Sequence, residues 1–242
     1  MKAMILAAGK GTRLKPLTDS TPKALVELNG TPMLEIVIRK LIKSGVQEII
    51  INVHHLANQI IDFLKDKNNF GIRIEISNEE NQLLDTGGGL KKASWFFDDN
   101  KPFIVHNVDI ISDIDLNAMM DDHYKHDALA TLAVRDRQSS RYFLFNHQNY
   151  LCGWKNTKTE EIITHEPNLE LKPLAFSGIH IINPKIFSLM SNSEKFSIVE
   201  SYLKLSQKHT IVGYQNDQDY WFDIGKPENL KKANEWLKKM KP

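Results

Sequence analysis

Cysteine is almost absent from this chain. Cys152 is its only one among 242 residues, which excludes an internal disulfide and any multi-cysteine metal site and fits a reducing, cytoplasmic setting. An excess of either charge is missing as well: 31 Lys and Arg against 30 Asp and Glu leave a net charge of +1. Such a balance gives neither a polynucleotide nor an anionic membrane a reason to be the main partner. No stretch of about 18 consecutive apolar residues occurs, so no membrane span is expected. Internal repeats and low-complexity tracts are lacking, and the 9 histidines show no metal spacing. His54-His55 reads as a polar strand edge rather than a ligand pair.

What remains is an ordinary globular composition, 41% hydrophobic and 25% charged, in a chain long enough to bury roughly 70% of its unfolded surface. The opening MKAMILAAGKGTR has one short apolar run that gives way to glycines and charges, and it reads as a first strand rather than a secretory signal. Asn29-Gly30-Thr31 then reads as a tight turn rather than a glycosylation site. Strand and helix patterns alternate afterwards. Residues 33–44 have helical spacing ending before Gly45, Glu48 to Val53 is apolar throughout, residues 56–66 are again helical, and Ile72 to Ile76 alternates. A helix is expected over Leu90 to Phe97 and a buried strand over Pro102 to His106. From about residue 129 short strands follow one another (ALATLAV, RYFLF, LAFSGIHII), and helices are expected around 184–190, 196–206 and 227–239. The closing run KKANEWLKKMK reads as a solvated helix face. One unit over residues 1–242 with two functional halves, 1–128 and 129–242, is expected, as a monomer or small homo-oligomer.

Residues 6–22, LAAGKGTRLKPLTDSTP, follow the first strand directly and are too polar and glycine-rich for core. Gly9 and Gly11 allow positive φ and close backbone approach, so successive N–H groups can converge on phosphate oxygens. Arg13, Lys15 and Lys23 add positive charge suited to a polyphosphate. The Walker spacing is absent, and Leu14 stands where the dinucleotide fingerprint needs its third glycine.

Leu6-Ala7-Ala8-Gly9-Lys10-Gly11-Thr12-Arg13-Leu14, with Pro16-Leu17-Thr18 and Pro22-Lys23-Ala24-Leu25, closely resembles the opening motif of the nucleotide-sugar pyrophosphorylases. The resemblance implies an α/β, Rossmann-like nucleotidyltransferase fold with a mixed, mostly parallel sheet flanked by helices. It implies transfer of a nucleotidyl group from a nucleoside triphosphate, UTP by preference, to a sugar 1-phosphate. By the same resemblance residues 1–128 are the mainly nucleotide-binding half and 129–242 the mainly sugar-binding half, Leu6, Ala7, Ala8, Gly9, Gly11 and Thr12 wrap the triphosphate, Arg13 contacts the leaving phosphates, and Lys23 works at the reacting centre.

That reaction gathers negative charge on the transferred group and on pyrophosphate, so cations matter more than bases. Mg²⁺ is the expected cofactor, held by one or two carboxylates with phosphate and water oxygens. Val105-His106-Asn107-Val108-Asp109 and Trp221-Phe222-Asp223-Ile224-Gly225 resemble the two aspartate motifs of the family, which assigns Asp109 and Asp223 to the metal. Val108 and Lys226 stand where glycine and threonine are more usual. Leu84-Asp85-Thr86-Gly87-Gly88-Gly89 resembles the segment beside the nucleobase, giving Thr86 and Gly87 as contacts, while Glu80 reads as a surface carboxylate, with a base N–H as its alternative partner. Phe176-Ser177-Gly178-Ile179 resembles the strand presenting Gly178 to the sugar, with Asn107 beside both substrates. The Glu-Lys-Pro motif for the sugar phosphate is replaced by Glu166-Pro167, leaving either Lys155 or Lys172 as a substitute cation or more of the neutralisation to the metal and Lys23.

Among subfamilies the pattern looks most like the N-acetylmuramate 1-phosphate uridylyltransferases of cell-wall recycling, with mannose, heptose or glucose 1-phosphate enzymes as alternatives. A phosphocholine cytidylyltransferase, using Trp154 or Trp221 against a quaternary ammonium, and a non-catalytic nucleotide-binding regulator also stay open.

Overall fold

The computed structural model describes residues 1–80, 82–217 and 220–240. In chain order the strands and helices are β1 (Lys2–Leu6), β2 (Glu27–Leu28), β3 (Thr31–Pro32), α1 (Met33–Lys43), β4 (Glu48–Val53), α2 (Ala57–Asp66), β5 (Arg73–Asn78), α3 (Asp85–Lys92), β6 (Phe103–Asn107) and β7 (Ile110–Ser112). They continue with α4 (Leu116–Lys125), β8 (Ala130–Arg135), β9 (Arg141–Phe145), β10 (Leu151–Asn156), β11 (Glu161–Thr164), β12 (Lys172–Ile182), α5 (Ile198–Leu205), β13 (Ile211–Gln215), β14 (Trp221–Asp223) and α6 (Pro227–Met240). Two compact units result. The first comprises Met1–Leu84, Val105–Asp113 and Tyr220–Pro242, and the second Asp85–Ile104 and Ile114–Asp219.

In the first unit β1 pairs in parallel with β4, which pairs in parallel with β5, and β6 lies beside β1. Strands covered on both faces must be apolar throughout, and Ala3, Met4, Ile5, Ile49, Ile50 and Ile51 are all fully buried. Each large aliphatic side chain so buried contributes on the order of 2 kcal/mol. Helix α1 turns Met33, Leu34, Val37, Ile38 and Leu41 inward and ends in a Schellman-type cap. There Gly45, at φ 86°, donates to the Ile42 carbonyl and the Val46 amide reaches Leu41. The short strands β7 and β14 pair antiparallel, Asp223 opposite Ile110. Helix α6 carries Lys231 and Lys232 exposed, as expected for a solvated face, while Lys241 lies outside the described residues.

The second unit is mainly antiparallel. Strand β12 pairs with both β8 and β9, β9 with β10, and β10 with β11, while β13 lies parallel to β8. The register of β12 against β8 shifts between Phe176 and His180, and Gly178, at φ 76°, sits inside this bulge. Helix α4 is capped by Asp115, whose carboxylate accepts from the Asn117 and Ala118 amides. The helix expected over Leu90 to Phe97 instead begins at Asp85, so Gly87, Gly88 and Gly89 lie within α3, and a 3₁₀ turn over Ser94–Phe96 follows it. Residues 184–188 likewise form a 3₁₀ turn.

Candidate active site

Chain reversal right after β1 builds the first unit's polar centre. The Leu6–Leu14 segment leaves the sheet with Ala7 and Ala8 buried and with Gly9 and Lys10 exposed. Gly11 adopts φ 65° and opens a 3₁₀ turn over Thr12–Leu14. A β-carbon there would lie 2.9 Å from Thr18 Cγ2 and 3.1 Å from Lys23 Cβ. Only glycine satisfies both the left-handed backbone and that close approach. The loop is braced from below by buried Thr18, whose hydroxyl donates to the Gly11 carbonyl at 2.8 Å.

Lys23 starts a second 3₁₀ turn and its ammonium forms an ion pair with Asp109. Both side chains are mostly withdrawn from solvent, at 11% and 19% exposure, so their attraction is less screened than a surface pair's. Asp109 sits in the turn between β6 and β7, and its carbonyl accepts from the Ile224 amide at 2.8 Å. That bond, with the pairing of Asp223 opposite Ile110, sets the two aspartates on adjacent backbone segments. Val108, in the usual glycine's place, is buried and donates its N–H to Leu6. Gly225 supplies a contact that the sequence motif alone did not explain. A β-carbon on it would lie 2.7 Å from Arg13 Nη2 and 2.8 Å from Asp223 Oδ1. The guanidinium and the carboxylate therefore converge over its bare face. Gly11, Arg13, Lys23, Asp109 and Asp223 all belong to the first unit, and Asn107 ends β6, two residues before Asp109.

Glu80 is exposed, whereas its neighbour Glu79 is buried. A signal for an inward polar cluster was present in β4, where Asn52 interrupts a run of isoleucines.

Thr86, Gly87, Glu166 and Gly178 belong to the second unit. The Thr86 hydroxyl accepts from the Ile198 amide at 3.0 Å, and the Gly87 and Gly88 amides both donate to the Phe196 carbonyl. A β-carbon on Gly87 would lie 2.4 Å from the Phe196 ring, so packing inside this unit is itself a reason for glycine there. Glu166 is exposed and donates its N–H to the Thr164 hydroxyl. Of the two substitute cations, Lys172 donates to Gln215 at 2.7 Å, and Lys155 lies 5.4 Å from the centre of the Tyr142 ring. Trp154 is half-buried in β10, while Trp221 lies in β14 of the first unit.

No cluster of three or more His, Cys, Asp or Glu groups able to hold a metal occurs among the described residues. Nor, among them, is any helix long and apolar enough to cross a membrane.

Along most of its length the chain is similar to known proteins. The N-acetylmuramate alpha-1-phosphate uridylyltransferase of Neisseria meningitidis is 31% identical over 96% of this chain and 96% of its own length. The UTP–glucose-1-phosphate uridylyltransferase of Synechocystis is 30% identical over 93% of this chain, which spans only 60% of that protein. Among solved structures, HddC from Yersinia pseudotuberculosis complexed with GMP-PN superposes with a TM-score of 0.77 at 26% identity, covering 98% of this chain and 99% of the other. These likenesses bear out the α/β, Rossmann-like fold with its mixed sheet. The nucleotidyl transferase family model matches residues 2–240, and the chain belongs to that family.

Proposed function

We propose that this protein transfers a nucleotidyl group from a nucleoside triphosphate to a sugar 1-phosphate and releases pyrophosphate. The observation that carries the reading is that, within one unit, Lys23 pairs with Asp109 and Arg13 and Asp223 converge over Gly225, beside the loop that Gly11 turns. A phosphoryl centre requires that kind of mixed cationic and carboxylate array rather than a strong base. UTP and N-acetylmuramate 1-phosphate are the first pair to test. The supporting fact is that the meningococcal relative matches this chain along 96% of both lengths.

In this reading a sugar 1-phosphate oxygen attacks the α-phosphorus in line, the bond to the bridging oxygen breaks, and pyrophosphate carries the electron pair away. The phosphate monoester has its second pKa near about 6 and is already ionised, so no protein group needs to take a proton. The Lys23 ammonium offsets charge at the transferred phosphoryl group, and the Arg13 guanidinium offers paired N–H donors to the departing phosphates. Backbone donors from Ala8 to Thr12 orient the chain of phosphates, with Asn107 at the end of β6 beside the acceptor.

The donor set fits Mg²⁺. Asp109 and Asp223 give two hard oxygen ligands on adjacent backbone segments, and phosphate and water oxygens would complete the shell. When bound, the ion would neutralise charge on the triphosphate. Glu166 and Gly178 are the corresponding proposals for the sugar, and Thr86 and Gly87 for the nucleobase.

The test is a matrix of four nucleoside triphosphates against N-acetylmuramate, mannose, glucose and heptose 1-phosphates and phosphocholine, read by pyrophosphate release with and without Mg²⁺. Turnover with one sugar 1-phosphate and the metal supports the reading. Turnover with phosphocholine alone, or with none of the acceptors, sinks it.

A further inference from the structure

Two buried polar side chains of the first unit have no part in the chemistry assigned above. Asn52, near the end of β4, is 4% exposed, and Glu79, just past β5, is 1% exposed. Burial of a carboxylate is costly unless its lone pairs are met. Here one Glu79 oxygen accepts from the Asn52 side-chain amide at 2.7 Å and the other from the Leu84 backbone amide at 2.9 Å. Both oxygens are thus engaged as acceptors. Glu79 is itself fixed by its own backbone: its N–H donates to Val53 at 2.8 Å, and His54 Nδ1 meets its carbonyl at 2.9 Å. The remaining end of the chain of bonds is the informative one. Asn52 is in register with Leu6, and its side-chain oxygen accepts from the Ala7 amide at 2.7 Å.

Ala7 is the first residue past β1, so this bond fixes the direction in which the glycine loop leaves the sheet. It also consumes the Ala7 N–H, so phosphate-facing backbone donors begin at Ala8. Through Glu79 the same relay grips Leu84, which ends the segment preceding Asp85. We propose that Asn52 and Glu79 are positioning residues that hold the glycine loop, and through it the nucleotide, by the relay Leu84 to Glu79 to Asn52 to Ala7. The nucleotide half of this statement rests on the function proposed above, whereas the hold on the loop does not.

The direction of the relay makes it testable by reversal. A backbone N–H stands at each end, so the two side chains between them must supply one donor and three acceptors in a fixed order. Glu79→Gln sets a donor against a donor at one junction, and Asn52→Asp sets carboxylate against carboxylate. The double variant Asn52→Asp/Glu79→Gln has the introduced amide donating to the introduced carboxylate, with acceptors left for Ala7 and Leu84. All three hydrogen bonds return with the charge moved by one residue.

Backbone amide exchange over residues 5–14, measured by mass spectrometry on the nucleotide-free protein, is expected to speed up about tenfold in each single variant and to return within about twofold of wild type in the double. In pyrophosphate release, KM for the nucleoside triphosphate is expected to rise about tenfold in the single variants, with KM for the sugar 1-phosphate unchanged, and to recover in the double. Should either single fail to fold, Asn52→Ala removes the acceptor of Ala7 without like charges meeting and carries the same expectation. Singles that melt earlier while loop exchange and nucleotide KM stay at wild type would overturn the proposal, as would a double variant whose loop remains fast. Loop exchange that follows the expected pattern in a protein without turnover would instead reject the transferase reading and uphold the relay's hold on the loop.

Discussion

Glycine does different work in the two units. In the first, Gly11 combines a left-handed backbone with a β-carbon position already filled by Thr18 and Lys23, and Gly225 leaves bare the face over which Arg13 and Asp223 converge. Both clear space next to charged groups. In the second unit Gly87 makes room for the Phe196 ring, and Gly213 does so for Phe145. Those clear space for packing. A glycine beside cations and carboxylates is thus a candidate for function, whereas one beside an aromatic ring already has a structural reason. A motif match cannot separate the two, because the letter is the same.

The sharpest way to test that division is to strike the charged groups of the first unit. Asp109→Asn and Asp223→Asn keep the side-chain volume and remove one negative charge each. Turnover is expected to fall by a factor of about 10³ or more, equivalent to about 4 kcal/mol of transition-state stabilisation, with thermal melting near wild type. Pyrophosphate release and a melting curve on the same preparations decide the matter, and near-wild-type rates in both variants remove the metal assignment. Lys23→Met is expected to cost about 10² to 10³ in kcat, in the range of other charge-stabilising donors. Because it leaves Asp109 without its ammonium, a loss confined to the melting temperature would reassign Lys23 to structure.

The glycines give the next smaller effects and oppose the two units directly. Gly87→Ala places a methyl group 2.4 Å from the Phe196 ring, an overpacking expected to destabilise by about 1–3 kcal/mol. Urea unfolding is the measurement, with the loss of stability expected to outweigh any rise in nucleotide KM of the folded protein. Gly11→Ala forces an alanine into φ 65°, at about 1–2 kcal/mol, on a loop that is not core. Its effect is expected chiefly as a rise of about tenfold in nucleotide KM. If the readouts came out exchanged, stability for Gly11 and KM for Gly87, the comparison would be inverted.

Legibility followed the same line. Parallel strands buried on both faces announce themselves as apolar runs, and β1, β4 and β6 were readable to within a residue or two, as were α1, α2 and α6. Lys23, Asp109 and Asp223 could be singled out because their motifs are long, and the structure brings all three into one unit. The second unit was harder. Strands β10 and β11 and helix α4 gave no separate signal, because antiparallel strands exposed on one face alternate weakly and a 10-residue helix such as α4 offers few turns of periodicity. The inward carboxylate after β5 is Glu79 rather than Glu80. Which of two adjacent acids faces the core depends on where β5 ends, and a shift of one residue reverses the face. The packing of Gly87 against Phe196 joins residues 109 apart in sequence, a contact that no local pattern encodes.

The smallest expected effect concerns the second unit alone, where titratable groups serve packing. His180 is buried, paired through Nδ1 with the Tyr202 hydroxyl at 2.6 Å, and burial pushes its pKa down from 6.5 to about 3. His123, on α4 beside Thr131, is pushed from 6.5 to about 4 for the same reason. Unfolding exposes both rings to water, where they take up protons below about pH 6.5 while the folded protein does not. The unfolded state then binds more protons, so stability is full above about pH 6.5 and declines as pH falls towards the folded values. Each histidine contributes at most about 1.4 kcal/mol per pH unit, and the pair should cost on the order of 2 kcal/mol between pH 6 and 5. His180→Gln keeps a polar partner for Tyr202 but cannot titrate, so the slope of unfolding free energy against pH should fall by about half. Urea titrations at several pH values measure it. An unchanged slope would mean that protons are taken up elsewhere, most simply by carboxylates of the first unit, and the acid sensitivity of the protein would then belong to that unit.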